Sequence, residues 1–510
     1  MGAGLAAAGT TLCPWTGALA QSGSSLMRAP KQALVIGNSR YKHAPLQNPP
    51  NDAKGMAAAL KAMGFEVMLG LEMSHAQMSE AIRAYHSGLV KAKAVGLFYF
   101  AGHGMQLAWR NYLVPVDAEI TRVEQVRERA VDVNSLIEGI RKAGNPMNII
   151  ILDACRDDPF GAAARSDQKG LSQLDAPPHT LLAYATAPGN TAADGEGANG
   201  LYTENLLREL KVPEARIEDV FKRVRLNVRL RSKGQQIPWE STSLEEDFWF
   251  IPPAQVRKLA EAEAEREFQQ ELALWEKIKA SSEPQPLEDY LRRHPSGKFS
   301  ELAQLRLDQV LARQGERKVR IESSRENPYS KGTAVADTNR KVGDSYSYRS
   351  LDLYTKQEIE TYTQTIMRIT ETEILYDDGV ITDLLGNELY GRDGVSTSGN
   401  QHWGIDYFIG KRWASRGNLA RKGELFARFE VDLRVVARET IKVPAGTFDA
   451  FVIETNGWAR GPGVNTQVYS KRWLAPDQVR ALIALDTLRK AGSGRVIRSD
   501  RQELLSYRQS

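Results

Sequence analysis

Cysteine is nearly absent: the chain has two in 510 residues, Cys13 and Cys155. That excludes a disulfide framework, so stability has to come from packed cores, and any chemical role for a cysteine is the role of a single thiol. No run of roughly eighteen strongly apolar residues occurs, which argues against a transmembrane segment. Charge of one sign is not in excess either. Sixty-seven Lys and Arg against 63 Asp and Glu leave a formal +4, and with both signs mixed along the chain there is no electrostatic footprint for a nucleic-acid partner. His43 and His179 have no partner at metal-ligand spacing, and His294 reads as a turn residue. No cofactor or metal is expected; a calcium requirement cannot be read, because no compact acidic cluster marks a site.

The apolar share of 42% and the charged share of 25% are those of a globular protein, and the length suggests about three domains. Gly2 to Ala20 carries no charge, is rich in Ala and Gly, and ends in the small-x-small sequence Ala18-Leu19-Ala20, but lacks a basic start. Residues 1–30 read either as a signal-like segment or as a disordered tail. A periplasmic or secreted location is the expectation, and a cytoplasmic one the alternative.

From residue 31 to 253 short β-branched runs alternate with helical periods, the pattern of an α/β domain with a mostly parallel sheet. Strands are expected at Ala33–Ile36, Phe65–Leu69, Val95–Phe100 and Ile149–Leu152. Helices are expected at Asn51–Met63, capped by Asn51 or Asp52, at Ser74–Val90 and at Asp132–Lys142. The runs 95–100 and 148–152 are apolar on both faces, as central strands are. Residues 254–322 read as a helical spacer, solvated rather than packed, and 323–341 as a linker. From 342 to 510 the period falls to two, with a hairpin at Asp377-Asp378-Gly379, which predicts an antiparallel sheet or half-barrel.

Chemistry in such a sheet sits at the carboxyl ends of its strands. One central strand runs into Ala101-Gly102-His103-Gly104, where flanking glycines would leave the imidazole accessible. The other runs into Asp153-Ala154-Cys155-Arg156-Asp157. The thiol follows the histidine by 52 residues, the spacing of the caspase group. Either residue alone would more simply be a core residue; the pair, at two strand ends, changes that balance.

Residues 32–250 resemble the caspase-like cysteine peptidases, particularly the bacterial branch related to metacaspases and paracaspases. The resemblance rests on several blocks in order, among them Ala33-Leu34-Val35-Ile36-Gly37-Asn38, Tyr99-Phe100-Ala101-Gly102-His103-Gly104, Asn111 to Asp117, Leu152 to Asp157, Ala183 to Gly189 and Gln236-Ile237-Pro238-Trp239-Glu240. It covers a little over two fifths of the chain. It implies Cys155 as nucleophile, His103 as its partner, and the amides of Gly104 and Cys155 as an oxyanion hole. It also implies Asp153, Asp52 and, more weakly, Asp194 as acids of the substrate pocket. Ala101 departs from the Ser that metacaspases usually carry there.

Two carboxylates sharing a pocket repel unless a cation lies between them, so the expected substrates are proteins or peptides cut after Arg or Lys. The basic stretches Arg165–Lys169 and Arg313–Arg325 read as exposed linkers, open to self-cleavage of a zymogen. The alternative reading is a dormant caspase-like scaffold, or an envelope-binding protein whose β domain carries the function. Oligomeric state cannot be read from periodicity.

Overall fold

The computed structural model describes residues 26–155, 171–172, 174–187, 197–253, 261–316 and 333–510, without the side chains of 155, 261, 262 and 264. Its first unit is the mostly parallel sheet expected. The strands are β1 (Lys31–Gly37), β2 (Glu66–Leu71), β3 (Val95–Leu107), β4 (Arg110–Leu113), β5 (Val131–Asp132), β6 (Asn148–Cys155), β7 (Thr180–Tyr184) and β8 (Trp239–Thr242). The order is β2-β1-β3-β6-β7-β8, with β8 antiparallel and with β4 and β5 extending the far end of β3.

Alternation along the central strands divides the apolar residues between two cores. Val35, Leu97, Tyr99 and Ile151 pack under α1 (Pro49–Ala62), α4 (Leu201–Glu209) and α5 (Ile217–Arg231). Leu34, Phe98, Phe100 and Ile150 pack under α2 (His75–Ala92) and α3 (Val133–Ala143). Helix α2 has a full capping box, Ser74 with Gln77, and Asp132 caps α3. Helix α1 corrects the expectation: it starts at Pro49-Pro50, with Asn48 as N-cap and no side-chain cap. Prolines preset φ for a first turn, so the helix begins earlier than Asn51 or Asp52.

The helical segment is a second correction. Helices α6 (Glu261–Ile278), α7 (Pro284–Arg293) and α8 (Ser300–Arg313) are not a solvated spacer. Trp275 stacks on Phe299 at 5.7 Å, and both join Phe268, Tyr290 and Leu302 in a core that also takes Leu226 of α5 and Ile366 and Ile374 of the C-terminal unit. Arg313, expected in an exposed linker, ends α8 and bonds to Glu371 at 2.9 Å. Arg165–Lys169 and most of the second basic stretch lie outside the described residues.

The C-terminal unit is antiparallel, as expected, but closes into a twelve-stranded barrel rather than an open sheet or half-barrel. Closure comes from Ser345–Asp352 pairing with Val496–Arg508. In the long strand Glu424–Val443, Ala427, Phe429, Val431, Leu433 and Val435 are buried, while Arg428, Glu430 and Asp432 face solvent. No described helix is long and apolar enough to cross a membrane. Thr333–Val335, inside the expected linker, is a strand paired with Asp406–Phe408.

If α6 to α8 form a packed unit, Trp275→Ala should lower stability by about 3–5 kcal/mol, measured as the shift in urea unfolding. A solvated helix would lose no more than about 0.5 kcal/mol.

Candidate active site

Strands β3 and β6 run parallel in a register that pairs Ala101 with Asp153, Gly102 with Ala154 and His103 with Cys155. The histidine and the cysteine singled out by the sequence are thus brought opposite each other on adjacent central strands. Their setting differs from the expectation in one respect. Strand β3 does not stop at Phe100 but runs on to Leu107 and pairs with β4, so His103 lies within a strand and is only 1% exposed. The glycines beside it serve close packing, not access. A Cβ on Gly102 would come within 2.5 Å of the Tyr41 hydroxyl, and one on Gly104 within 2.8 Å of the Ala154 Cβ.

The loop after β1 fixes the imidazole. The Nε2 atom lies 2.6 Å from the carbonyl of Ala44, a residue in the left-handed region at φ 52°. A carbonyl only accepts, so Nε2 carries the hydrogen and Nδ1 is the basic nitrogen of the neutral ring. Tyr41 packs its ring 4.4 Å from the imidazole, and its hydroxyl accepts the His103 amide at 2.9 Å and donates to the Val114 carbonyl at 3.1 Å. The His103 carbonyl accepts from Val114 at 3.0 Å. Backbone groups alternate between strand edges, so the Gly104 amide faces the β6 edge.

Both acids expected in the pocket are described, and both are held by the start of α4. Asp153 accepts from the Thr203 hydroxyl at 2.6 Å and from Tyr99 at 3.3 Å. Asp52, 3% exposed in the first turn of α1, accepts from Asn199 Nδ2 at 2.8 Å and from the amide of Gly200, the N-cap of α4, at 3.0 Å. Burial first, then the charges of Asp153 and Asp52, push the Tyr99 phenol well above its ordinary range. Asp194 lies outside the described residues, as do Arg156 and Asp157.

Thr203, Asn199, Tyr41 and Ala44 were not found from the sequence. Thr203 lies 50 residues from Asp153 and Asn199 lies 147 from Asp52, and no local period connects such pairs. Gly200 before an apolar helical run was the available signal, since it marks a helix start where an anion would be stabilised.

Residues 30–249 match the family model described as the caspase domain, Peptidase_C14. Among curated proteins, the chain is similar to mucosa-associated lymphoid tissue lymphoma translocation protein 1 of Homo sapiens, 27% identical over 194 residues, which cover 36% of this chain and 22% of that protein. The homolog from Mus musculus is 28% identical over 204 residues, 38% of this chain and 23% of its own length. The chain therefore spans less than a quarter of these relatives.

Gly104→Ala should destabilise the domain by about 1–3 kcal/mol through overpacking, because the added methyl meets Ala154 and also Leu171, whose Cδ2 would be 3.1 Å away. Thermal unfolding checks this; an unchanged midpoint would show that β3 and β6 are not packed this tightly.

Proposed function

With residues 30–249 forming a caspase domain, we propose that the chain is a cysteine endopeptidase that cuts peptide bonds after Arg or Lys. The observation that carries this reading is the register that sets His103 opposite Cys155. His103 Nδ1 takes the thiol proton, and the thiolate attacks the scissile carbonyl carbon. As the C–N bond breaks, the imidazolium returns the proton to the leaving amine, and water then hydrolyses the thioester to regenerate the thiol. The amides of Gly104 and Cys155 stabilise the oxyanion, a contribution of about 3–4 kcal/mol per donor to the transition state.

Asp153 and Asp52 receive the substrate cation. A guanidinium or ammonium group brought between the two carboxylates relieves their repulsion and makes charge-assisted hydrogen bonds. Asp194 is proposed as a third acid of the same pocket. The chemistry uses protein groups alone. Self-processing at basic residues outside the described segments is part of the proposal, as is a location in the periplasm or outside the cell.

Fluorogenic peptides that differ only in the residue before the bond test the reading. Cleavage after Arg and Lys is expected, falling by several orders of magnitude in Cys155→Ala and in His103→Ala. Cleavage after Asp would overturn the pocket assignment, and folded protein that cleaves nothing, with or without calcium, would favour a dormant scaffold. Thr203 is a positioning residue for Asp153. Thr203→Val should lower kcat/KM on Arg peptides about 10-fold or more, mainly through KM, by removing a hydrogen bond to a carboxylate. Thr203→Ser should restore it; equal losses in both variants would sink the assignment.

A further inference from the structure

Residues directly opposite each other on antiparallel strands point to the same face, so the inner face of the barrel can be followed from strand to strand. Val435 and Val431, buried in the barrel core, are opposed by Ile453 and Gly457. These are opposed in turn by Arg472 and Val468, and those by Leu485 and Arg489. All four side chains therefore face into the barrel. They are not packed shut: Arg472, Val468 and Leu485 are only partly buried, and Arg489 is exposed. On the inner face of a closed barrel such exposure is to a lumen, and barrel mouths are places where small ligands are held.

Both cations on this face lack a counter-ion. Arg472 makes one side-chain hydrogen bond, from Nη1 to the Thr455 hydroxyl at 3.4 Å, and Arg489 makes none among the described residues. Neither has a carboxylate within 4.0 Å among the described residues. The remaining nitrogens of Arg472 are not among the side-chain atoms sealed from water, so its guanidinium opens onto the lumen. Burial pushes Arg472 down to about 10, and Tyr407 is the one ionisable group among the described residues that opposes this. Arg489 stands directly opposite Arg498, which pairs with Asp500 at 2.5 Å. Asp500, Asp393 and Glu388 favour the charge of Arg489 from farther off, by less than burial and Arg498 disfavour it. Burial first, then the charges of Arg472 and Arg489, hold the His402 imidazole well below its usual range.

A cation held away from bulk water with no anion beside it is costly, and an occupant carrying one negative charge removes that cost. A dianion such as phosphate would bring one charge more than Arg472 neutralises. The wall beside Arg472 is apolar: Val468, Leu485 and Leu419, which opposes the buried Ala427, are all partly exposed to the lumen. We propose that the lumen binds a carboxylate with an apolar body, of the fatty-acid class, its carboxylate paired bidentately with Arg472 and its body running toward the hairpin tips past Leu485, Val468 and Leu419. Arg489 lies four residues beyond Leu485 on the same strand, about 13 Å nearer the mouth, where its positive charge draws anions in.

The test titrates the full chain with octanoate by calorimetry and follows thermal unfolding. Octanoate should bind and raise the unfolding midpoint. Acetate, inorganic phosphate and 1-octanol each lack either the apolar body or the carboxylate, and should bind at least about 10-fold more weakly. Arg472→Met should weaken octanoate binding by about 10-fold or more without lowering the unfolding midpoint, because it removes a cation that has no carboxylate. Val468→Trp, which fills the lumen, should weaken binding by about 10-fold as well, and it decides the matter if the first variant fails to fold. The proposal is overturned if octanoate does not bind at roughly 10 mM, if 1-octanol, acetate or phosphate binds as tightly as octanoate, or if a folded variant binds like the parent.

Discussion

Everything in the candidate site depends on one register, the parallel pairing of β3 with β6. Side chains alternate faces along a strand, so a slip of one residue would set His103 opposite Ala154 and turn each side chain of one strand to the other face. The register is pinned far from the site, where the two strands begin. Asn145 Nδ2 donates to the Ala94 carbonyl at 2.9 Å and to Asn148 Oδ1 at 2.8 Å, and the Gly96 amide donates to the Met147 carbonyl at 2.9 Å. Burial on both faces does the rest, since a one-residue shift of β3 would bring Gly96 to the position now filled by Val95 or Leu97 and Gly102 to that of Ala101 or His103.

Around that register the polar groups are held in place by the chain itself. Asn38 donates to the Met73 and Val114 carbonyls and accepts from the Met73 amide, which anchors the loop that delivers Tyr41 and Ala44 to the imidazole. On the other side, the first turn of α4 grips Asp52 through backbone and Asp153 through a hydroxyl. One helix start thus holds two carboxylates that lie 101 residues apart in the chain. Groups held in this way need little reorganisation when charge develops, and that is where electrostatic catalysis and charge recognition gain most of their advantage.

The sequence disclosed what local physics controls. Val95–Phe100 and Asn148–Leu152 are apolar on both faces, so central strands were legible, and the position of His103 and Cys155 near their ends followed. What it concealed was set by contacts across the chain. The continuation of β3 through Gly102-His103-Gly104 runs against strand propensity and is supported by pairing with β4. The burial of Phe268, Trp275 and Ile278 depends on α7, α8 and the barrel, so an amphipathic face that has partners looked like one that has none. Barrel closure joins strands about 150 residues apart, and Glu388–Tyr390 and Val395–Ser398 are too short to show a period.

The junction of the three units is built largely from charge, which bears on what holds them in place. Arg229 of α5, 9% exposed, reaches Asp308 at 2.7 Å and Glu316 at 2.8 Å, and Lys411 joins the barrel unit to Glu301 of α8. Burying such ions gives little net stability, because the desolvation cost offsets most of the attraction. It gives discrimination instead. A displaced barrel would cost Lys411 its contact with Glu301, leaving it only Asp406 of its own unit, and a displaced α8 would leave Arg229 buried without Asp308 and Glu316, a penalty of about 3–5 kcal/mol for a broken buried pair. The turn at Gly410, whose left-handed φ of 96° lets it pass against Ser243 just after β8, has no room for a side chain. Buried charge and close backbone contact together specify one docking of the barrel, at the edge of the sheet whose third and fourth strands carry His103 and Cys155.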